Sequence, residues 1–220
     1  MGEFPWIGTD RLLTEQARHY SALVSDGLVA IRRHRLEAAR NWLLLGGSVL
    51  FFGPAGGGKT AAIDVMVAGV PDRRVLRCAP EPAGAVVPYR TLADLLSTLA
   101  GRDVAELTTA QSETLDRIRS REGGLAVDPG SACRAVVALL RSLARARQTV
   151  VVVDGLQWVD APSADVLRFA AAYVEDRPVQ MVASERMTDS GLPRGCGFCP
   201  PPSLSLRLDA LPEYVPYPFE

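Results

Sequence analysis

The residue types and spacing that could do chemistry are concentrated in Gly53-Pro54-Ala55-Gly56-Gly57-Gly58-Lys59-Thr60. This segment fits the pattern G-x-x-x-x-G-K-[ST] at every fixed position and follows the apolar run Val49-Leu50-Phe51-Phe52. Such a loop suits an anion carrying several charges. Glycines let backbone N–H groups turn inward at close range, with no Cβ in the way. From Ala61 the chain reads as a helix, and its N-terminal dipole adds positive potential at the same place. Lys59 is expected to reach the β- and γ-phosphates of a nucleoside triphosphate, and the Thr60 hydroxyl to ligate Mg²⁺. The plain alternative is a glycine-rich turn joining a strand to a helix. The order strand, loop, helix favours the nucleotide, so Gly53, Pro54, Ala55, Gly56, Gly57, Gly58, Lys59 and Thr60 are the expected ATP contacts.

A second stretch, Val150-Val151-Val152-Val153-Asp154, supplies an acid. A β-branched run without polar alternation predicts a strand buried on both faces, and hence a parallel sheet covered by helices. Asp154 stands at its carboxyl end, where open α/β sheets gather their ligand chemistry. Beside a phosphate loop such an acid holds Mg²⁺ directly or through water. Otherwise it is an acid in a strand-ending turn.

Around these stretches the sequence predicts one α/β domain over residues 28–211, after an extension (1–27) and before an unstructured tail (212–220). A helix is expected over Leu28–Leu45, with Gly46-Gly47 as its stop, and a less clearly patterned one over Arg11–Val24. Ser48–Phe52 reads as the first strand, Lys59 to about Ala68 as a helix, and Arg74–Cys78 as the second strand. Helices follow over Thr91–Leu99 and Thr108–Arg119, with Thr109 a candidate cap. Ser131 is expected to cap a helix running to about Ala146. Pro162–Tyr173 reads as a helix with Pro162 near its first position. Val179–Ala183 reads as the fourth strand, ending at Ser184-Glu185-Arg186. Alternating Leu204, Leu206 and Leu208 suggest an edge strand.

Composition narrows the function classes. The 220 residues suffice for one good core, and 48% hydrophobic with 22% charged residues is ordinary for a globular domain. A net charge of −1 gives the whole molecule no pull toward nucleic acid or anionic membrane. The basic run Arg32-Arg33-His34-Arg35 reads as a solvated helix face. Trp42–Phe52, the longest apolar stretch, is too short for a bilayer, and the N-terminus lacks the apolar core of a secretory signal. The expectation is a cytoplasmic protein with its four cysteines reduced. Cys196-Gly197-Phe198-Cys199 has no second pair of ligands nearby and no strand–helix frame, so it reads as ordinary thiols.

One ordered set of residues resembles a known family. It comprises the phosphate loop, then Glu81, then Pro88-Tyr89-Arg90-Thr91-Leu92 leading into Leu95-Leu96. Val153-Asp154-Gly155-Leu156-Gln157-Trp158-Val159-Asp160 and the strand ending in Arg186 complete it. The set looks like the N-terminal ATPase domain of large ATP-binding LuxR-type transcriptional regulators of actinobacteria, in the STAND/AAA group of signalling NTPases. It covers about Leu28 to Leu211. The resemblance implies a P-loop NTPase three-layer α/β/α sandwich, with a mostly parallel sheet in the order 5-1-4-3-2, working as an ATP-operated switch. It implies Asp154 as the magnesium acid and Arg186 at the sensor position beside the loop. It further implies nucleotide as ligand, with a homo-oligomer or a regulatory protein as partner.

The sequence departs from this family at three points. Gly155 replaces the acid that commonly polarises the attacking water, so weak or absent hydrolysis is expected. Two acids could take over that role, Asp160, beyond an expected turn, and Glu81, after the second strand. Glu81 is the candidate to orient that water, and read plainly it is a loop carboxylate in solvent. Gly57 stands where the family favours Ile or Val, which predicts a more flexible loop. No winged helix or helix-turn-helix follows to Glu220, so no direct DNA binding by this chain is expected. Two rival readings stay open. In one, the chain is a small kinase or competent ATPase acting on a metabolite, with Arg117, Arg119 and Arg121 as lid arginines. In the other, it is a degenerate interaction domain without nucleotide.

Overall fold

A computed structural model describes residues 30–68, 72–99, 106–120, 127–174, 178–187, 193, 198–199 and 202–210. The proposed extension (1–27), the helix expected over Arg11–Val24 and the tail (212–220) lie outside the described residues, as do Arg121 and Cys196.

The valine run decides the architecture. Thr149–Asp154 forms strand β3, buried at every residue but the last. Val150 and Val152 face one side of the sheet, Val151 and Val153 the other, and each side meets its own layer of helices. The other strands are β1 (Ser48–Gly53), β2 (Arg74–Cys78), β4 (Val179–Arg186) and β5 (Ser203–Arg207). The five pair in the order β2-β3-β4-β1-β5, every pair parallel. Read from the other end this is the expected 5-1-4-3-2. Gly53 lies opposite Arg186, and Asp154 opposite Ser184, so three strand ends meet at one edge.

One face is covered by α1 (30–44) and α2 (Lys59–Ala68). Their Ala39, Leu43, Ala62, Ile63 and Met66 pack on Val49, Phe51, Val150, Val152 and Val182. The other face carries α3 (Arg90–Leu96), α5 (Pro129–Ala146) and α6 (Ala161–Tyr173), with α4 (Thr109–Ser120) packed on α5 and α3. The result is the expected three-layer sandwich.

Helix ends explain where the boundaries shift. After α1, Gly46 N–H bonds the Leu43 carbonyl (3.2 Å) and Gly47 N–H the Trp42 carbonyl (3.0 Å), with Gly46 at φ +100°. That is the Schellman stop, and the glycine supplies its left-handed residue. The cap of α4 is Thr108 rather than Thr109. Thr108 Oγ1 accepts from Gln111 N–H (3.4 Å) while Gln111 Oε1 accepts from Thr108 N–H (3.0 Å), a reciprocal capping box. For α5 the cap is Asp128, whose carboxylate accepts from Ser131 N–H at 2.8 Å, with Pro129 leading the helix. Ser131, the expected cap, is the residue being capped.

Candidate functional site

β1 brings Gly53 to the carboxyl edge, and α2 begins at Lys59, so the glycine loop spans strand end to helix start. Lys59 Nζ donates to the carbonyls of Gly53 (3.1 Å) and Pro54 (2.5 Å). Burial holds its pKa below that of an ordinary lysine; the positive charge of Arg186 adds to this, and Asp154 opposes it. Lys59, Asp154 and Arg186, distant in sequence, therefore share one electrostatic neighbourhood. Thr60 stands exposed on the first turn of α2.

Asp154 is partly screened from solvent, its side chain 11% exposed. Oδ1 accepts from the Ser184 hydroxyl at 2.6 Å, and Oδ2 lies 3.5 Å from Arg77 Nη2. Arg77, on β2, spends its other nitrogen on Asp64 of α2 at 2.5 Å. Arg186 is the last residue of β4, and its backbone N–H donates to Gln157 Oε1 at 2.9 Å.

The segment Asp154 to Asp160 divides its labour. Asp160 is 1% exposed. It accepts from Tyr89 N–H (2.8 Å), Thr91 N–H (2.9 Å) and Ser163 N–H (3.0 Å). It caps α6 and ties the start of α3 to it, so its oxygens are committed to structure. Gly155 sits at φ +114°, ψ +59° and opens the single helical turn Leu156–Trp158. An L side chain there is strained, which gives glycine a backbone reason to occupy the position.

Gly57 has a packing reason. A Cβ on it would fall 2.4 Å from the Leu208 carbonyl oxygen, as would one on Gly53. The chain leaving β5 lies hard against the loop, so this glycine serves close approach rather than added flexibility.

Two clefts matter. One, of about 810 Å³, is lined by Gly56 and Gly58 of the loop, by Ala61, Ala62 and Val65 of α2, and by Arg32 and Leu36 of α1. Glycine amides at one end and aliphatic walls at the other suit a nucleotide's phosphates and its base. The other, of about 330 Å³, lies past the end of β2 and is lined by Glu81, Arg90, Thr91, Asp94 and Trp158. Glu81 is exposed there, and no residue of the glycine loop shares that lining. This second cavity borders the Gly155 turn: Pro80 and Trp158 line it, and the Pro80 carbonyl lies 3.5 Å from where a Gly155 Cβ would stand.

Arg32 was not legible as a site residue. Its guanidinium donates to the Gly57 carbonyl and stands 2.5 Å from where a Gly58 Cβ would be. Leu36, one turn on, lines the same cleft, so the half-apolar side of α1 was the available signal. Gln157 was legible only as part of the resembling segment, with no role, and Arg77 not at all, before strand order fixed their neighbours. Arg119 pairs with Asp116 on its own helix at 2.6 Å, and neither it nor Arg117 lines either cleft. Among the described residues Cys78 and Cys133 are free thiols, burial pushes the Cys78 thiol far up, and Cys199 is buried with its thiol donating to the Val49 (3.7 Å) and Met181 (3.9 Å) carbonyls. Among the described residues no helix is long and apolar enough to cross a membrane.

Comparison with known proteins follows from this geometry. A chain of Drosophila ORC bound to AT-rich DNA and Cdc6 is similar at 14% identity with a TM-score of 0.51, over 92% of this chain and 63% of that one. A chain of Drosophila ORC bound to DNA is similar at 15% identity and TM-score 0.50, over 86% and 96%. A STAND protein with a tetratricopeptide repeat sensor from Pyrococcus horikoshii aligns at 14% identity and TM-score 0.39, over 80% of this chain and 22% of that one. No curated protein matches the sequence. The sequence pattern described as the AAA ATPase domain matches residues 29–182, a stretch that takes in the glycine loop, Asp154 and the Asp160 tie. On that match the chain belongs to the AAA ATPase domain family and is an ATP-binding P-loop NTPase.

Proposed function

We propose that the domain is an ATP-operated switch of the STAND type, in a regulator resembling the LuxR-type transcription factors, with slow hydrolysis. The observation that carries this reading is the meeting of Lys59, Asp154 and Arg186 beside the loop while Gly155 offers no carboxylate. Arg186 would read the γ-phosphate with its planar fork, and Gln157 would fix the strand end that carries it. The cytoplasm as compartment, a homo-oligomer or protein partner, and DNA contacts made outside this domain belong to the same proposal.

Thr60 and Asp154 are the residues that would hold Mg²⁺. Both offer oxygen, and the 3.5 Å contact from Arg77 leaves Asp154 Oδ2 open to a harder cation. No group of three or more His, Cys, Asp or Glu gathers among the described residues, so such an ion would rest mainly on phosphates and water, as Mg²⁺ prefers. Bound there, it would neutralise charge on the β- and γ-phosphates. Asp160 is spent on three backbone N–H groups, which leaves Glu81, in the cavity past β2, as the acid to orient water. Without a well-placed base, roughly 10²–10⁴ in rate is forgone.

Calorimetry tests the binding half. Lys59→Ala should cost on the order of 100-fold in ATP affinity, about 3 kcal/mol for lost charge-assisted contacts. Unchanged affinity overturns the site. Single-turnover hydrolysis tests the other half: slow turnover in the wild type, slower still in Glu81→Gln. Brisk turnover indifferent to Glu81 overturns the switch reading.

A further inference from the structure

The cavity beyond β2 carries charges of both signs, and apart from the role proposed for Glu81 in hydrolysis they are unassigned. The Glu81 carboxylate and the Thr91 hydroxyl have no hydrogen-bond partner among the described residues, while Arg90 spends only Nε, on Asp94 Oδ2 at 3.0 Å. Among the described residues both remaining nitrogens of Arg90 have no partner and can act as a two-pronged donor. Its stem is positioned against Gly84, with Cγ 3.2 Å from where a Cβ would be. Trp158 closes one side, and an indole face attracts a cation. Two carboxylates, Glu81 and Asp94, against one guanidinium leave the lining a net −1. At about 330 Å³ the space falls at the lower end of the roughly 300–1,000 Å³ typical of small-molecule sites.

We propose that this cavity binds a small zwitterion of the α-amino-acid class. Its ammonium rests on Glu81 and Thr91 Oγ1, its carboxylate on the two free nitrogens of Arg90, and its side chain lies along Trp158. One free acid and one half-free guanidinium in a single small space are complementary to a ligand with both charges. A simple cation would leave Arg90 unmet, and a simple anion would face Glu81. The site is separate from the glycine loop but adjoins the machinery of the switch, because Trp158 ends the same turn whose Gln157 holds Arg186. Arg186 lies in the nucleotide site, so a zwitterion here would sit where an effector could act.

The twenty common amino acids are titrated one at a time into the full chain by calorimetry, with ethylamine and acetate as single-charge controls. At least one amino acid should bind, and both controls should bind more weakly. Glu81→Gln and Arg90→Met, both at solvent-accessible positions, should each weaken it roughly tenfold or more. Arg90→Met keeps the stem against Gly84, and unchanged melting curves would show that both variants are folded. Lys59→Ala should leave amino-acid binding intact, so a failed nucleotide site and a failed zwitterion site are told apart. No binding by any amino acid at millimolar concentration, controls that bind as well, or binding that survives either substitution overturns the proposal.

Discussion

The two edges of the sheet treat polar groups in opposite ways. At the amino edge, Gln180 on β4 is 1% exposed, and its amide is fully used. Its nitrogen donates to the Leu43 and Gly47 carbonyls. Its oxygen accepts from Arg73 (2.5 Å) and Gln148 (2.9 Å). Arg73 also donates to the Leu43 (2.8 Å) and Leu44 (3.2 Å) carbonyls, closing the end of α1. At the carboxyl edge, Lys59 and Arg32 rest on loop carbonyls, and Asp154 holds the Ser184 hydroxyl with Oδ1 while Oδ2 has a long contact to Arg77. The saturated edge fixes the fold. The other keeps its charges on partners that a ligand can replace, and pays for readiness in local stability.

That contrast can be broken first at Gln180. Gln180→Leu should lower the free energy of unfolding by about 3 kcal/mol, because buried partners lose their bonds together. Urea unfolding reads the loss, and ATP affinity in the folded fraction should not move. Arg32→Ala should do the reverse. About tenfold in ATP affinity should be lost by calorimetry, with stability within about 0.5 kcal/mol of the parent. A large stability change in Arg32→Ala would put that arginine with the structural edge instead.

The smallest effect concerns pH. The lowered pKa of Lys59 in the free protein means that it is charged below that value and neutral above it. ATP affinity should therefore be full near neutrality and fall as the solution becomes alkaline, earlier than an ordinary lysine would dictate. Arg186→Ala removes one of the two lowering causes and should move the midpoint of that fall to higher pH. Coincident midpoints would mean that Arg186 does not act on Lys59 through charge.

The parts legible in the sequence are those whose physics is local. Four consecutive valines of β3 announce burial on both faces, and the loop announces its own backbone needs, so the helical layers followed, whereas the strand order rested on the family resemblance. What stayed hidden depends on which elements meet. Arg32 reads as solvated until α1 lies across the loop, and Asp160 reads as a turn acid until α3 presents two N–H groups to it. Gly155 was legible only as a missing carboxylate. Its φ of +114° shows that restoring an acid there also imposes strain of order 1–3 kcal/mol, so Gly155→Asp would test backbone and base together.

Leu208 has a mechanical consequence. Its N–H bonds the Phe52 carbonyl at 2.8 Å, while its own carbonyl is the atom that both Gly53 and Gly57 make room for. Tension applied to the chain after residue 210 would reach that bond within two residues, and the glycine loop immediately after it. A shift of the loop at Gly53 or Gly57 toward this carbonyl must likewise move the Leu208 peptide unit, so the end of β5 and the glycine loop cannot rearrange independently.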